Sequence, residues 1–210
     1  GEKKEYLNFI KKNLPKKVKH FFLNKKNSPT ILKKRYVDYL NKNKVFGSYI
    51  LNDEFIDKEN ERKIISFLEK KLNLFDLVVT LDYGHGMISP KIAKMISKKS
   101  KYLCLNAQVN ASNISYHSLG HYNKSNCIVI NETELRRELR SREGSIKELM
   151  KKLSTKLNSK IVVVTRGSSG SILYSVKTNS FIECPAFAKE IVDKTGSGDN
   201  YLSTLALSLS

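Results

Sequence analysis

The chain has only three cysteines, no apolar run of membrane-spanning length and no internal repeat, and its 20 acidic residues face 38 Lys and Arg. The cysteines, Cys104, Cys127 and Cys184, are odd in number and far apart, and each sits in an apolar stretch where a small hydrophobe fits. This excludes a disulfide framework or a zinc site and predicts reduced core thiols of a cytosolic protein. Without a spanning run, or a charged start followed by an apolar segment, neither a transmembrane helix nor a secretory leader is predicted. With no repeat or low-complexity linker, residues 1–210 read as one domain. The shortage of acid leaves a net charge of +18 and a pI near 9.7. Such a balance attracts nucleic acid when the cations cluster. Here lysines recur along the whole chain, densest from Lys3 to Lys44, in the manner of solvated faces and loops. Nucleic acid is therefore not the expected partner.

What the chain does have is the composition of a packed protein, with 40% hydrophobic and 28% charged residues. It opens within an amphipathic pattern (Tyr6, Leu7, Ile10, Leu14) and stops within another (Tyr201, Leu202, Leu205, Leu209). The expectation is a domain truncated at both ends. Val18–Leu23, Thr30–Tyr36 and Val45–Leu51 read as three short strands of a meander. From Asp57 the rhythm changes. Ile64, Ile65, Phe67, Leu68 and Leu72 form a helical stripe, and 77–81 is a continuous apolar run of buried-strand length. A helix over 90–98, strands over 102–105 and 127–130, a helix over 145–157 and a strand over 161–165 follow. Strands separated by helices imply crossovers and a mainly parallel sheet covered on both faces. Ligands bind beyond the carboxyl ends of such strands. The Asn-, Ser- and His-rich stretch 106–126 has no period and reads as a long functional loop.

The strongest chemical signal is Ile191-Val-Asp-Lys-Thr-Gly-Ser-Gly-Asp-Asn200, followed by an apolar helical segment. Two glycines flanking a small residue let backbone N–H groups converge at a helix start, where the dipole favours an anion. Asp199, directly after that cradle, would repel a phosphate unless it takes a proton from the group attacking it. An N-terminal capping role for Asp199 is the competing reading. Asn131 and Glu134, after the strand Cys127–Ile130, share a helix face and suit the water shell of a magnesium ion. They equally satisfy a capping box. Thr165-Arg-Gly-Ser-Ser-Gly170 reads as a tight connection between two strands. His85, His117 and His121 fall in candidate ligand-facing loops and His20 in the first proposed strand. All four read as polar structural residues.

The segment Asp193–Asp199 resembles the C-terminal signature of ribokinase-like (PfkB) carbohydrate kinases, with Lys194, Ser197 and Asn200 departing from its usual small residues. Asn131-x-x-Glu134 is similar to the family's Asn-x-x-Glu, and Thr165-x-Gly167-x-x-Gly170 to its nucleotide-side turn. Leu81-Asp-Tyr-Gly-His-Gly86 resembles the turn of the heptose-phosphate kinase branch, and 30–38 the strand leading to its substrate site. The resemblance covers nearly all 210 residues, closely from Cys127 onward. It implies a three-layer α/β/α fold with a mainly parallel central sheet and part of a small β lid. It further implies ATP and Mg²⁺ as cofactors, Asp199 as catalytic base, and Gly196, Ser197 and Gly198 as an anion hole. Asn131 and Glu134 would order the metal's waters, Thr165, Gly167 and Gly170 would border the nucleotide, and Lys33, Arg35, Asp82 and Asn106 would line a sugar or sugar-phosphate site. Asn106-Ala-Gln108 stands where that branch often has Asp-Pro, which argues against heptose phosphate itself. A cytoplasmic homodimer and a fused nucleotidyltransferase domain are further implied. A non-catalytic domain of the same fold is the alternative.

Overall fold

The computed structural model describes residues 4–40, 44–108, 118–188 and 196–210. Helix α1 (Lys4–Asn13) leads into a two-stranded antiparallel hairpin, β1 (Leu32–Val37) and β2 (Lys44–Ile50). Helix α2 (Lys58–Lys71) then feeds strand β3 (Leu77–Asp82), followed by α3 (Pro90–Lys99), β4 (Tyr102–Ala107) and β5 (Ser125–Asn131). Next come α4 (Glu132–Glu138), α5 (Ile146–Lys156) and β6 (Ser159–Thr165), then β7 (Ser171–Ser175), β8 (Ser180–Cys184) and α6 (Ser197–Leu209). The six strands of the main sheet lie in sequence order. β3 to β6 are parallel, and β7 and β8 add antiparallel at one edge.

Local chemistry sets the helix boundaries. Asp57 accepts a hydrogen bond from the Asn60 amide at 2.8 Å to start α2, whose first turn carries Glu59 and Glu61 and whose last carries Lys70 and Lys71, matching the helix dipole. Ser89 and Ser145 cap α3 and α5 in the same way, and Pro90 occupies the first position of α3, where no N–H is needed. The central strands β4, β5 and β6 need no such signals, because their apolar runs are satisfied by burial on both faces. On one face Leu105, Ile128, Ile130, Val162 and Val164 pack against α4 and α5 through Leu135, Leu149, Met150 and Leu153. On the other, Cys104, Cys127, Val129 and Val163 meet Leu202 and Ala206 of α6. Helices on both sides of an open, mainly parallel sheet make the covered α/β/α arrangement that the alternation predicts.

The central ladder has a gap that side chains close. Backbone pairing between β4 and β5 runs only over Cys104–Cys127 and Leu105–Ile128. At one end the Asn126 carboxamide accepts the Leu103 amide at 2.9 Å, and at the other Asn106 donates to the Val129 carbonyl at 2.8 Å. Both peptide groups would otherwise be buried unpaired, at a cost of about 1–3 kcal/mol each.

Two expectations are corrected. Residues 18–23 form no strand: Phe21 stacks on Phe67 of α2 with ring centroids 4.2 Å apart, so this apolar run packs against a helix and has no ladder partner. The hairpin is therefore two-stranded. Cys184 is exposed at the end of the edge strand β8, whereas Cys104 and Cys127 are buried as expected. Residues 191–195 of the glycine-containing segment, Lys194 among them, and His117 lie outside the described residues. Among the described residues, no helix is long and apolar enough to cross a membrane.

Candidate active site

The carboxyl ends of β3 to β6 lie side by side, and the polar residues expected there are delivered by the register. Asn131 pairs across the ladder with Thr165, and Leu81 with Asn106. Helix α6 starts above this edge. Its N-cap, Gly196, has φ 76°, and a β-carbon at Gly196 or Gly198 would meet nothing within 4 Å among the described residues. Asp199 sits in the first turn of α6, partly buried.

Tyr83, the first residue after β3, reaches across and donates its phenolic O–H to Asp199 Oδ2 at 3.0 Å. Burial, then the Asp199 carboxylate, push the Tyr83 phenol above its ordinary value, since both penalise a phenolate. From the hairpin, Lys33 Nζ stands 5.7 Å from the centre of the Tyr83 ring, within cation–π range. Alternation places Arg35 on the same side of β1 as Lys33 and sends Lys34 to the other. The hairpin thus connects to the proposed base through one tyrosine. Tyr83 lay inside the motif read from the sequence but was not singled out. Its position immediately beyond a buried parallel strand was the available signal.

Asp82, one residue earlier, faces the opposite way. It is only 5% exposed, accepts from Tyr122 Oη at 2.8 Å and from the Gly84 amide at 3.0 Å, and so braces the β3 turn against the loop before β5. Burial, followed by the Asp82 charge, drives the Tyr122 phenol well above the normal tyrosine range. Asn106 spends its side-chain amide on Val129. The structure therefore brings Lys33 to Asp199 through Tyr83, whereas Asp82 and Asn106 support the edge on which they sit.

Asn131 and Glu134 form a complete capping box. Asn131 Oδ1 accepts the Glu134 amide at 2.8 Å, and Glu134 Oε2 accepts the Asn131 amide at 3.0 Å. With Thr165 and Gly167 they line a cleft of about 400 Å³, to which Glu132, Thr133, Arg137 and Arg166 also contribute. The donor set of carboxylate, carboxamide and hydroxyl oxygen is that of a hard cation. Among the described residues there is no cluster of three or more His, Cys, Asp or Glu able to hold a metal directly. The residues fit an ion that keeps its waters and is held mainly by ligand phosphates. Gly167 has φ 56° with space around it, while a β-carbon at Gly170, φ 78°, would lie 2.0 Å from the Cys184 carbonyl oxygen. Gly167 thus opens the cleft floor, and Gly170 allows β7 to pass close to the end of β8.

The family profile described as pfkB family carbohydrate kinase matches residues 56–210. Among curated proteins the chain is similar to Bifunctional protein HldE of Wolinella succinogenes, 26% identical over 163 residues, covering 76% of this chain and 33% of that protein. It is also similar to Bifunctional protein HldE of Campylobacter fetus, 31% identical over 152 residues, covering 70% and 31%. The chain spans about a third of the length of these relatives. Among solved structures, ribokinase from Giardia lamblia superposes with a TM-score of 0.70 at 18% identity, covering 98% of this chain and 63% of that one. Arabidopsis thaliana ribokinase, solved with ribose and ATP, gives 0.58 at 18% identity, covering 87% and 57%.

Proposed function

We propose that this chain, which belongs to the pfkB family of carbohydrate kinases, transfers the γ-phosphoryl group of ATP to a hydroxyl of a sugar or sugar phosphate. The observation that carries the reading is the placement of Asp199. A carboxylate stands at the start of a helix, next to two glycine backbones, and one of its oxygens is held by Tyr83. Bound at Oδ2, Asp199 keeps Oδ1 for the acceptor hydroxyl and removes its proton as the oxygen attacks phosphorus. The amides of Gly196, Ser197 and Gly198, with the positive end of α6 behind them, stabilise negative charge on the transferring group. Asn131 and Glu134 would hold the hydration shell of a magnesium ion, which when bound would neutralise phosphate charge. Thr165, Gly167 and the Gly170 turn border the nucleotide. Lys33 and Arg35 on the hairpin supply cations to a phosphorylated acceptor, while Asp82 and Asn106 shape the floor of its site.

Likeness to two proteins named bifunctional supports a heptose-type sugar phosphate as acceptor and a nucleotidyltransferase as partner domain, in the synthesis of an activated sugar for surface polysaccharide. ATP as donor supports a cytoplasmic location for the reaction. The hairpin exposes apolar side chains, among them Val37, Val45, Phe46 and Ile50, which supports a homodimer formed there. The test is a phosphoryl-transfer assay over a panel of free sugars and sugar phosphates with ATP and Mg²⁺, read by phosphorus NMR. A new phosphate ester with one acceptor class is expected. ATP binding without transfer to any acceptor would favour instead a non-catalytic nucleotide-binding domain.

A further inference from the structure

The end of α4 and the turn after it carry four arginines in seven residues, Arg136, Arg137, Arg140 and Arg142, around a second cleft of about 470 Å³ completed by Thr133 and Ser141. One of the four is committed. Arg136 is paired with Glu132 at 3.0 Å and also donates to the Gly144 carbonyl, so it braces the turn. The acid that could neutralise the others, Glu138, is buried and turned inward, bonded to Lys156 at 2.8 Å and to the Leu119 amide at 2.9 Å. Among the described residues, Arg137, Arg140 and Arg142 form no ion pair, and all three are exposed. Arg140 is held at φ 49°, a left-handed conformation that disfavours a residue with a β-carbon. Three like charges are thus gathered on a concave surface around two hydroxyls, with the Glu132 carboxylate committed to Arg136.

We propose that this cleft is an anion site for an oligophosphate chain, distinct from the glycine cradle at the start of α6. A guanidinium fork matches phosphoryl oxygens bidentately. The cleft, about 470 Å³ with the guanidinium groups spread along it, has room for several linked phosphoryl groups. Thr133 and Arg137 line both this cleft and the one containing Asn131 and Thr165, so the two are contiguous. The ligand is therefore either a free oligophosphate or the phosphate tail of a nucleotide extending from the neighbouring cleft. The anion site itself does not depend on the kinase reading, because Arg137, Arg140 and Arg142 have no part in it, whereas the nucleotide-tail source rests on that reading of the neighbouring cleft.

The test is calorimetric titration of inorganic tripolyphosphate into three proteins at physiological salt. These are the wild type, Arg140→Gln combined with Arg142→Gln, and the charge-matched control Lys98→Ala combined with Lys99→Ala in the last turn of α3. Losing charge-assisted contacts to two guanidinium groups weakens binding about tenfold or more in the arginine variant, and the control leaves it within error. A second titration with metal-free ATP separates the sources. An equal loss identifies a nucleotide tail, and an unchanged affinity identifies a free oligophosphate. Absent binding to the wild type, or equal weakening in variant and control, would overturn the site in favour of diffuse charge. Tighter binding of a short random DNA duplex that depends on the same arginines would overturn it in favour of a nucleic-acid surface. Intact phosphoryl transfer alongside any of these results leaves the kinase reading standing.

Discussion

Replacing Tyr83 by Phe removes one hydroxyl and with it the 3.0 Å hydrogen bond to Asp199. A hydrogen bond to a charged acceptor contributes about 1.5–3 kcal/mol when shielded from water. Tyr83 is 37% exposed, so solvent screening reduces this to about 1 kcal/mol. If the bond serves to orient the base, the loss falls on the chemical step: kcat drops roughly fivefold while KM for ATP holds, about 1.4 kcal/mol being a factor of ten. A second readout needs no substrate. The phenol is raised above its ordinary value, so the difference between wild-type and Tyr83→Phe phenolate absorbance should have its midpoint above about pH 10. Because the raised pKa belongs to the folded state, the tyrosine's contribution to stability is fully present below the unfolded value near pH 10 and is lost as pH rises through the folded one. In an Asp199→Asn background that midpoint should move part of the way back, because burial, the larger cause, remains. A midpoint at the ordinary value, or one indifferent to Asp199, would refute the coupling. An unchanged kcat would refute its catalytic use.

Glu134→Gln keeps an oxygen that can accept the Asn131 amide and deletes the charge. It should therefore raise the Mg²⁺ concentration needed for half-maximal activity with little change in melting temperature; an unchanged Mg²⁺ titration removes the proposed role. Gly170→Ala places a β-carbon 2.0 Å from the Cys184 carbonyl and should cost about 3 kcal/mol in urea unfolding, against about 1 kcal/mol for Gly167→Ala, whose β-carbon meets nothing. Similar urea midpoints for the two would contradict that packing. Tyr122→Phe removes a donor at 2.8 Å from a carboxylate only 5% exposed and should destabilise by about 1–3 kcal/mol, measured by thermal unfolding.

The parallel core was legible because buried strands leave little choice of residue: Cys127–Ile130 and Ile161–Val164 are apolar on both faces and are covered by helices on both sides, whereas Leu77–Leu81, which reads as equally buried, forms the sheet edge and leaves Val79 and Leu81 exposed. The helix starts expected at 90 and 145 fall within a residue of the observed ones, where Ser89 and Ser145 cap α3 and α5. Val18–Leu23 misled for the opposite reason. Its apolar content was real, but a strand requires a ladder partner, and whether one exists is a tertiary fact. β8 was missed because Ser180–Cys184 is almost wholly exposed and carries no burial signal. At the site, spacing drew attention to the glycines and Asp199 but left base and helix cap as equal readings, and only the family resemblance separated them. What spacing could not give was direction. Asp82 and Tyr83 are adjacent, yet at the end of a strand one turns inward to Tyr122 and the other outward to Asp199.

The central claim is that Asp199 acts as the base. The measurement that tests it most directly compares wild type with Asp199→Asn in the full-length protein, pairing initial rates of ATP-dependent phosphorylation of the acceptor with the ATP dissociation constant. Asn is nearly the same size and can still accept from Tyr83, but it cannot take a proton. The account predicts that transfer falls by at least about a hundredfold with ATP affinity essentially unchanged. Retained transfer, or loss of transfer and ATP binding together, would contradict it and leave Asp199 as a structural residue of the helix start.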